Sequence, residues 1–217
     1  MAKLYFRYGA MNSGKSTGLL QAAFNYEERS QRVLVAKPGV DTKGDDQIVS
    51  RLGVSRCADF LIAPEAELRP LYHRHATADP TGTLLEGLGE SDSPTAAAEV
   101  KPVACLLVDE AQFLTPPQVD DLLRIAVLDG VPVLAYGIRT DFRTHAFPGS
   151  ARLMDLAHAL EELKTICSCG QKAVFNTRRQ GDTVLFDGDQ IAIDGSDVWY
   201  ESLCASCYLD LSEGKLG

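Results

Sequence analysis

The chain has 217 residues, 45% of them hydrophobic and 24% charged, enough for one full domain, or one domain plus a small module, around a sizeable core. Its 21 basic and 30 acidic residues leave a net charge of −9, which argues against a broad nucleic-acid-binding face and against an anionic membrane as partner. No apolar run is long enough for a transmembrane helix and no secretory leader fits before the first strand-like run, so a cytoplasmic protein is expected, its six cysteines serving as metal ligands, reactive thiols or core.

Leu4, Phe6 and Tyr8 alternate, which predicts a strand. Gly9 to Ser16 reads as a glycine-bearing loop, and Lys15 to about Glu28 as a helix. Arg32 to Ala36 is a second apolar run, closed by the turn signal Lys37-Pro38-Gly39. Residues 39–62 are polar and punctuated by glycine, without an assignable period. Pro64 to about His75 predicts a helix, and residues 76–101 a loop or linker in which Thr83 to Leu88 could form a helical turn. Val103 to Val108 is continuously apolar, as a strand buried on both faces of a parallel sheet must be. Pro116 to Leu128 is an amphipathic helix with Thr115 as its N-cap, Val131 to Tyr136 a buried strand, and Ser150 to Leu160 a helix. From about Thr165 the chain turns to cysteine pairs and short β-like runs. Alternation of strands and helices over residues 3–160 predicts a parallel α/β sheet, and the tail predicts a second, smaller module.

Gly9-Ala10-Met11-Asn12-Ser13-Gly14-Lys15-Ser16 matches G-x-x-x-x-G-K-[ST] between a strand and a helix. Glycines let the backbone turn so that successive N–H groups face phosphate oxygens, and the helix start adds the positive end of its dipole. Lys15 is expected to reach the β- and γ-phosphates, and the Ser16 hydroxyl to ligate Mg²⁺. The apolar strand ending in Asp109-Glu110 supplies two carboxylates beside such a loop, Asp109 for the metal and Glu110 as a base.

Cys167-Ser168-Cys169 and Cys204-Ala205-Ser206-Cys207 offer four thiolates, the set a tetrahedral structural Zn²⁺ requires, with Gly170 suited to the tight turn. Reduced buried pairs, or two disulfides, are the other readings of the same cysteines. Cys105 reads as core. Phe113, Phe142, Phe147 and Tyr200 stand in loop-like context and could stack on a nucleobase, or be ordinary core. Arg139, Arg143 and Arg152 could neutralise phosphate charge, while His73, His75, His145 and His158 show no metal spacing and read as structural or solvent-facing.

Taken together, these constellations resemble the type II thymidine kinases, over nearly the whole chain. The residues that carry the likeness are Gly9 to Ser16, Val108 to Phe113, Tyr136 to Arg143 with Phe147, Leu163 to Gly170, and Tyr200 to Cys207. The resemblance implies a P-loop NTPase-like α/β core over residues 1–163, with a parallel sheet flanked by helices, and a zinc-binding lasso domain over residues 164–217. It implies transfer of the ATP γ-phosphate to the 5′-hydroxyl of thymidine, with Glu110 taking the hydroxyl proton and Mg²⁺ and a structural Zn²⁺ as cofactors. ATP would meet residues 9–16 with Asp109 and Gln112, and Mg²⁺ would meet Ser16 and Asp109. Thymidine would meet Met11, Phe113, Phe142, Phe147, Tyr200 and the lasso residues Ile191, Ile193 and Gly195. Zinc would sit on Cys167, Cys169, Cys204 and Cys207. Feedback binding of thymidine triphosphate and a homotetramer are implied as well, with no nucleic-acid or membrane partner. Two departures from the family pattern stand out: Asp194-Gly195-Ser196 in the lasso, and Lys43 in Asp41-Thr42-Lys43 where the family has arginine. Asp109-Glu110-Ala111-Gln112 is also similar to the acidic box of some helicases, so a nucleic-acid-stimulated ATPase with a zinc module is the second reading.

Overall fold

The computed structural model describes residues 1–40, 46–78, 100–181, 183–188, 190 and 198–216. The elements begin with β1 (Leu4–Tyr8), α1 (Lys15–Glu27), β2 (Arg32–Pro38), β3 (Gln47–Val49), β4 (Ser55–Cys57), β5 (Phe60–Ile62) and α2 (Leu68–Thr77). They continue with β6 (Val103–Val108), α3 (Pro116–Leu128), β7 (Val133–Gly137), α4 (Pro148–Leu156) and β8 (Ala159–Glu162). The cysteine-bearing part adds β9 (Thr165–Ile166), β10 (Lys172–Ala173), β11 (Phe175–Gln180), β12 (Thr183–Leu185), β13 (Val198–Leu203) and α5 (Ala205–Leu211).

Six strands form one sheet in the order β5-β2-β6-β7-β1-β8, with every neighbouring pair parallel. The two-residue period of its strands divides the core. Leu4, Phe6, Leu34, Ala36, Leu106, Val108, Val133 and Ala135 pack with α2, α3 and α4 on one face. Val33, Val35, Cys105, Leu107, Leu134 and Tyr136 pack on the other against Leu19, Leu20 and Ala23 of α1. Helices on both faces are what a parallel sheet needs, and they explain why β6 and β7 are apolar at nearly every position. Cys105 is core, as expected, and burial pushes its thiol up to about 12.

α3 has the expected start: Thr115 and Gln118 form a capping box behind a proline-led first turn. Gln118 also explains why α2 begins at Leu68 rather than at Pro64. Its Nε2 donates to the carbonyls of Ala63, Pro64 and Ala66, at 2.8, 3.2 and 3.1 Å, and holds them in a turn. The helix expected over Ser150 to Leu160 is corrected more substantially. It spans Pro148–Leu156, and residues 159–162 are strand β8. His158 N–H donates to Leu4 O at 2.8 Å, and Leu4 N–H donates to His158 Nδ1 at 3.1 Å. Pairing with the open edge of β1 satisfies backbone groups that a longer helix would leave exposed, and overrides the helix preference of Ala159-Leu160-Glu161-Glu162. The pattern-poor stretch at 39–62 contains the antiparallel β3–β4 hairpin and β5. The helical turn expected at Thr83 to Leu88 lies outside the described residues.

β11 pairs with β12 and β13, and β9 with β10, all antiparallel. Their packing centre is separate from the large sheet and consists of Cys167, Ala173, Leu203, Cys204 and Tyr208, with Phe175 and Phe186 against it.

Candidate active site

The sheet order brings the C-terminal ends of β1, β7 and β6 side by side, the usual ligand edge of an open parallel sheet. Gly9 to Ser16 leaves β1 at that edge. Asn12 and Gly14 both take left-handed backbone, with φ of 63° and 78°, and curl the loop. Gly14 then starts α1 with no side-chain cap. Gly14 has no side chain to cap the first amides of α1, which leaves them suited to receive an anion. Lys15 is buried, and its Nζ donates to Ala10 O at 2.9 Å and approaches Ser13 Oγ at 3.5 Å. Burial lowers its pKa, and the nearby Glu110 and Asp109 oppose that shift.

Asp109 leaves β6 opposite the loop, and Ser16 Oγ donates to Asp109 Oδ2 at 3.2 Å. Asp109 is 4% exposed, and among the described residues its Oδ1 is buried without a hydrogen-bond partner. Burial first, and Glu110 second, raise its pKa to about 7. An orphaned carboxylate oxygen beside a serine hydroxyl is a hard-oxygen donor set that fits a divalent cation such as Mg²⁺. Glu110 sits in left-handed backbone, φ 46° and ψ 40°, unusual for a residue with a side chain. Its Oε2 accepts from Gln112 Nε2. Buried Gln112 in turn accepts the Ile138 N–H, at 3.1 Å, at the end of β7. The glutamate is thus held by a side chain that is itself anchored.

The four aromatic candidates fall into two pairs. Phe113 and Phe147 meet edge to face with ring centroids 5.6 Å apart. Phe142 and Tyr200 share Arg178, whose guanidinium lies 3.9 Å above the Phe142 ring and whose Nε donates to Tyr200 Oη at 3.0 Å. Phe142 and Phe147 are buried, and Phe113 and Tyr200 half-buried. Ile191, Ile193 and Gly195, with the Asp194-Gly195-Ser196 departure, lie outside the described residues, as do Asp41, Thr42 and Lys43. Of the arginines proposed for phosphate, Arg143 pairs with Asp141 and Arg152 with Asp120. His75 stacks on Phe60 and His158 joins β1, whereas His73 lies 3.4 Å from Asp129.

Cys167, Cys169, Cys204 and Cys207 gather with all four Sγ atoms within 4.8 Å of one another. All six cysteines are free thiols, so the disulfide reading is set aside. Gly170, at φ 86°, turns the first pair back so that its N–H donates to Cys167 O at 2.8 Å. Cys204 caps α5, its Sγ accepting from Cys207 N–H at 3.5 Å. Burial pushes the Cys167 thiol up, but backbone N–H groups of Cys169 and Cys204 outweigh it and leave it lowered to about 6. Four soft sulfur donors converging in one place can hold a metal ion, and fit zinc.

Several contacts at this edge come from residues to which the sequence assigned no role of their own. Asn176 and Ser202 bond both backbone polar groups of Met11. Tyr208, directly after Cys207, donates from Oη to Phe142 O at 3.0 Å. These residues sit in short β runs or on a helix, where polar and aromatic side chains read as ordinary surface or core.

The model of the thymidine kinase family matches residues 2–78 and 88–208 of this chain. Among curated proteins, the thymidine kinase of Idiomarina loihiensis is 44% identical over 210 residues, covering 94% of each chain. That of Chromobacterium violaceum is 40% identical, covering 96% of this chain and 98% of its own. That of Legionella pneumophila (strain Paris) is 40% identical, covering all of this chain and 92% of its own.

Proposed function

We propose that this chain, which belongs to the thymidine kinase family, transfers the γ-phosphoryl group of ATP to the 5′-hydroxyl of thymidine. One observation supports this above the others: Lys15, Ser16, Asp109 and the anchored Glu110 converge on one edge of the sheet. The amides of the loop and of the α1 start bind the phosphates, with Lys15 turning from Ala10 O to the β- and γ-oxygens. Ser16 and Asp109 would hold Mg²⁺, which when bound neutralises charge between the β- and γ-phosphates.

Glu110, steadied by Gln112, accepts the proton of the 5′-hydroxyl. The O5′–P bond forms as the bond from Pγ to the β-phosphate oxygen breaks. The products are thymidine monophosphate and ADP, and Glu110 then releases its proton to solvent. Most of the acceleration comes from placing the two substrates and from preorganised charge. Phe113, Phe142, Phe147 and Tyr200, with Met11, Ile191, Ile193 and Gly195, are assigned to the nucleoside side, and Gln112 to the nucleotide side. Residues 164–217 serve as a lasso domain on the 1–163 core, tied by Zn²⁺ on the four cysteines. With no open position left on it, that zinc is structural. Feedback by thymidine triphosphate, a homotetramer, a cytoplasmic location and the absence of a nucleic-acid or membrane partner complete the reading. Among the described residues no helix is long and apolar enough to cross a membrane.

The test is ADP release from Mg-ATP with thymidine, with other nucleosides, or with single-stranded DNA, for wild type and Glu110→Gln. Thymidine-dependent turnover that is lost in Glu110→Gln supports both the reaction and its base. Turnover that follows DNA and ignores thymidine overturns the reading.

A further inference from the structure

We propose that Asn176 and Ser202 are positioning residues for the phosphate loop, a two-pronged clamp that the cysteine-bearing module closes on Met11. The two residues are register partners across β11 and β13, so their side chains stand on one face of that sheet. Asn176 Oδ1 accepts the Met11 N–H at 2.7 Å, and Ser202 Oγ donates to Met11 O at 2.5 Å. Both residues are buried, at 2% and 7% exposure. The other end of the Asn176 amide is used as well: Nδ2 donates to Thr140 O at 3.0 Å, in the segment that follows β7. A weaker contact, Thr165 Oγ1 to Asn12 O at 3.4 Å, comes from the same module.

The clamp acts where the loop is most constrained. Met11 directly precedes Asn12, a residue with a side chain in left-handed backbone, φ 63°. Such a conformation persists only where its surroundings over-determine it. Both polar groups of Met11 are committed to the clamp. Its N–H points to Asn176 and is not offered to a phosphate. Met11 therefore shapes the loop rather than binding through it, and the amides from Ser13 to Ser16 are left to meet the anion. Ser202 stands two residues before Cys204, and so joins the cysteine cluster to the phosphate loop through one strand end.

The kinetic half of this inference rests on the phosphotransferase reading, whereas the binding half does not. The experiment measures the Kd of Mg-ADP by calorimetry, together with KM for ATP and for thymidine, in Asn176→Ala, Ser202→Ala and Ser202→Thr. Melting temperature and zinc content are read alongside. Each alanine variant removes one or two buried hydrogen bonds, and is expected to weaken Mg-ADP about fivefold or more, with a parallel rise in KM for ATP. Ser202→Ala raises KM for thymidine less than it weakens Mg-ADP, because of the clamped residue only the Met11 side chain is assigned to the nucleoside. Ser202→Thr keeps the hydroxyl and returns the Mg-ADP affinity to within about twofold of wild type. Should Asn176→Ala not fold, the serine pair decides alone, since it changes one hydroxyl. Mg-ADP affinity unchanged in folded Ser202→Ala overturns the proposal. So does an equal rise in both KM values that Ser202→Thr does not rescue, because that marks a merely structural role. If wild type binds Mg-ADP but does not phosphorylate thymidine, the reaction assigned above fails while the Kd series still decides the clamp.

Discussion

Replacing Glu110 by glycine is expected to stabilise the fold relative to alanine while leaving both variants without useful activity. Glu110 holds φ 46° and ψ 40°, on the turn between β6 and the single helical turn Ala111–Phe113. Left-handed backbone costs an L-residue about 1–2 kcal/mol. Alanine keeps that cost and glycine does not. Glycine in turn loses more freedom on folding, which takes back about 0.5–1 kcal/mol. Both variants lose the bond from Gln112 equally, so it cancels in the comparison. The net expectation is that Glu110→Gly is more stable than Glu110→Ala by about 0.5–1 kcal/mol, or roughly 1–4 °C in melting temperature for a chain of this size. The paired assay is scanning calorimetry plus single-turnover phosphotransfer, where loss of a general base costs roughly 10²–10⁴-fold in both variants. Glycine no more stable than alanine would refute the claim that the backbone here is strained for function. A glycine variant that retained near-wild-type turnover would refute the role of the side chain.

Gln112→Ala frees Glu110 and leaves the Ile138 N–H without its acceptor. It is expected to lower kcat about tenfold or more and, because Gln112 is also assigned to the nucleotide side, to raise KM for ATP more than KM for thymidine; a rise in KM for ATP with kcat unchanged would count against its hold on Glu110. Asp109 gives a pH dependence. Its pKa is raised to about 7 in the folded chain from an ordinary 3.8, so the native state keeps a proton that the unfolded state has already released. The stability this carboxyl contributes is greatest below about pH 4 and is lost as pH rises from there to about 7. Urea midpoints without divalent cation should then show Asp109→Asn gaining on wild type between pH 5 and pH 7.5, and parallel curves would contradict the shift. Removing zinc with a chelator is expected to speed amide exchange over residues 165–211 and also over residues 9–16, while β6 stays protected. Exchange that rises in the tail alone would argue that the cysteine cluster and the phosphate loop are independent.

The parts of this molecule that could be read from the sequence are those whose chemistry is contiguous. Eight consecutive residues carry the phosphate loop, and the change from apolar run to paired acids marks the end of β6. The cysteine pairs needed only the assumption that their two ends meet, and the structure brings all four Sγ atoms within 4.8 Å. β8 was missed because helix-favouring residues were claimed by the open edge of β1, a tertiary demand that local preference does not contain. The strain at Glu110 left no trace either, since any residue can be written at a left-handed position.

The contacts that tie the site together were hidden for a further reason. Asn176 and Ser202 lie 165 and 191 positions from Met11, and Tyr208 lies 66 from Phe142. None has a partner within reach of a sequence window. Their positions have a common logic. Ser202 precedes the second cysteine pair by two residues and Tyr208 follows it by one, and each reaches a different part of the site. Ser202 holds the phosphate loop, and Tyr208 holds the backbone of Phe142, one of the aromatics assigned to the nucleoside. Ordering the segment around those cysteines would therefore set both substrate sites at once. Zinc bound by those four cysteines would organise more than the segment that carries it.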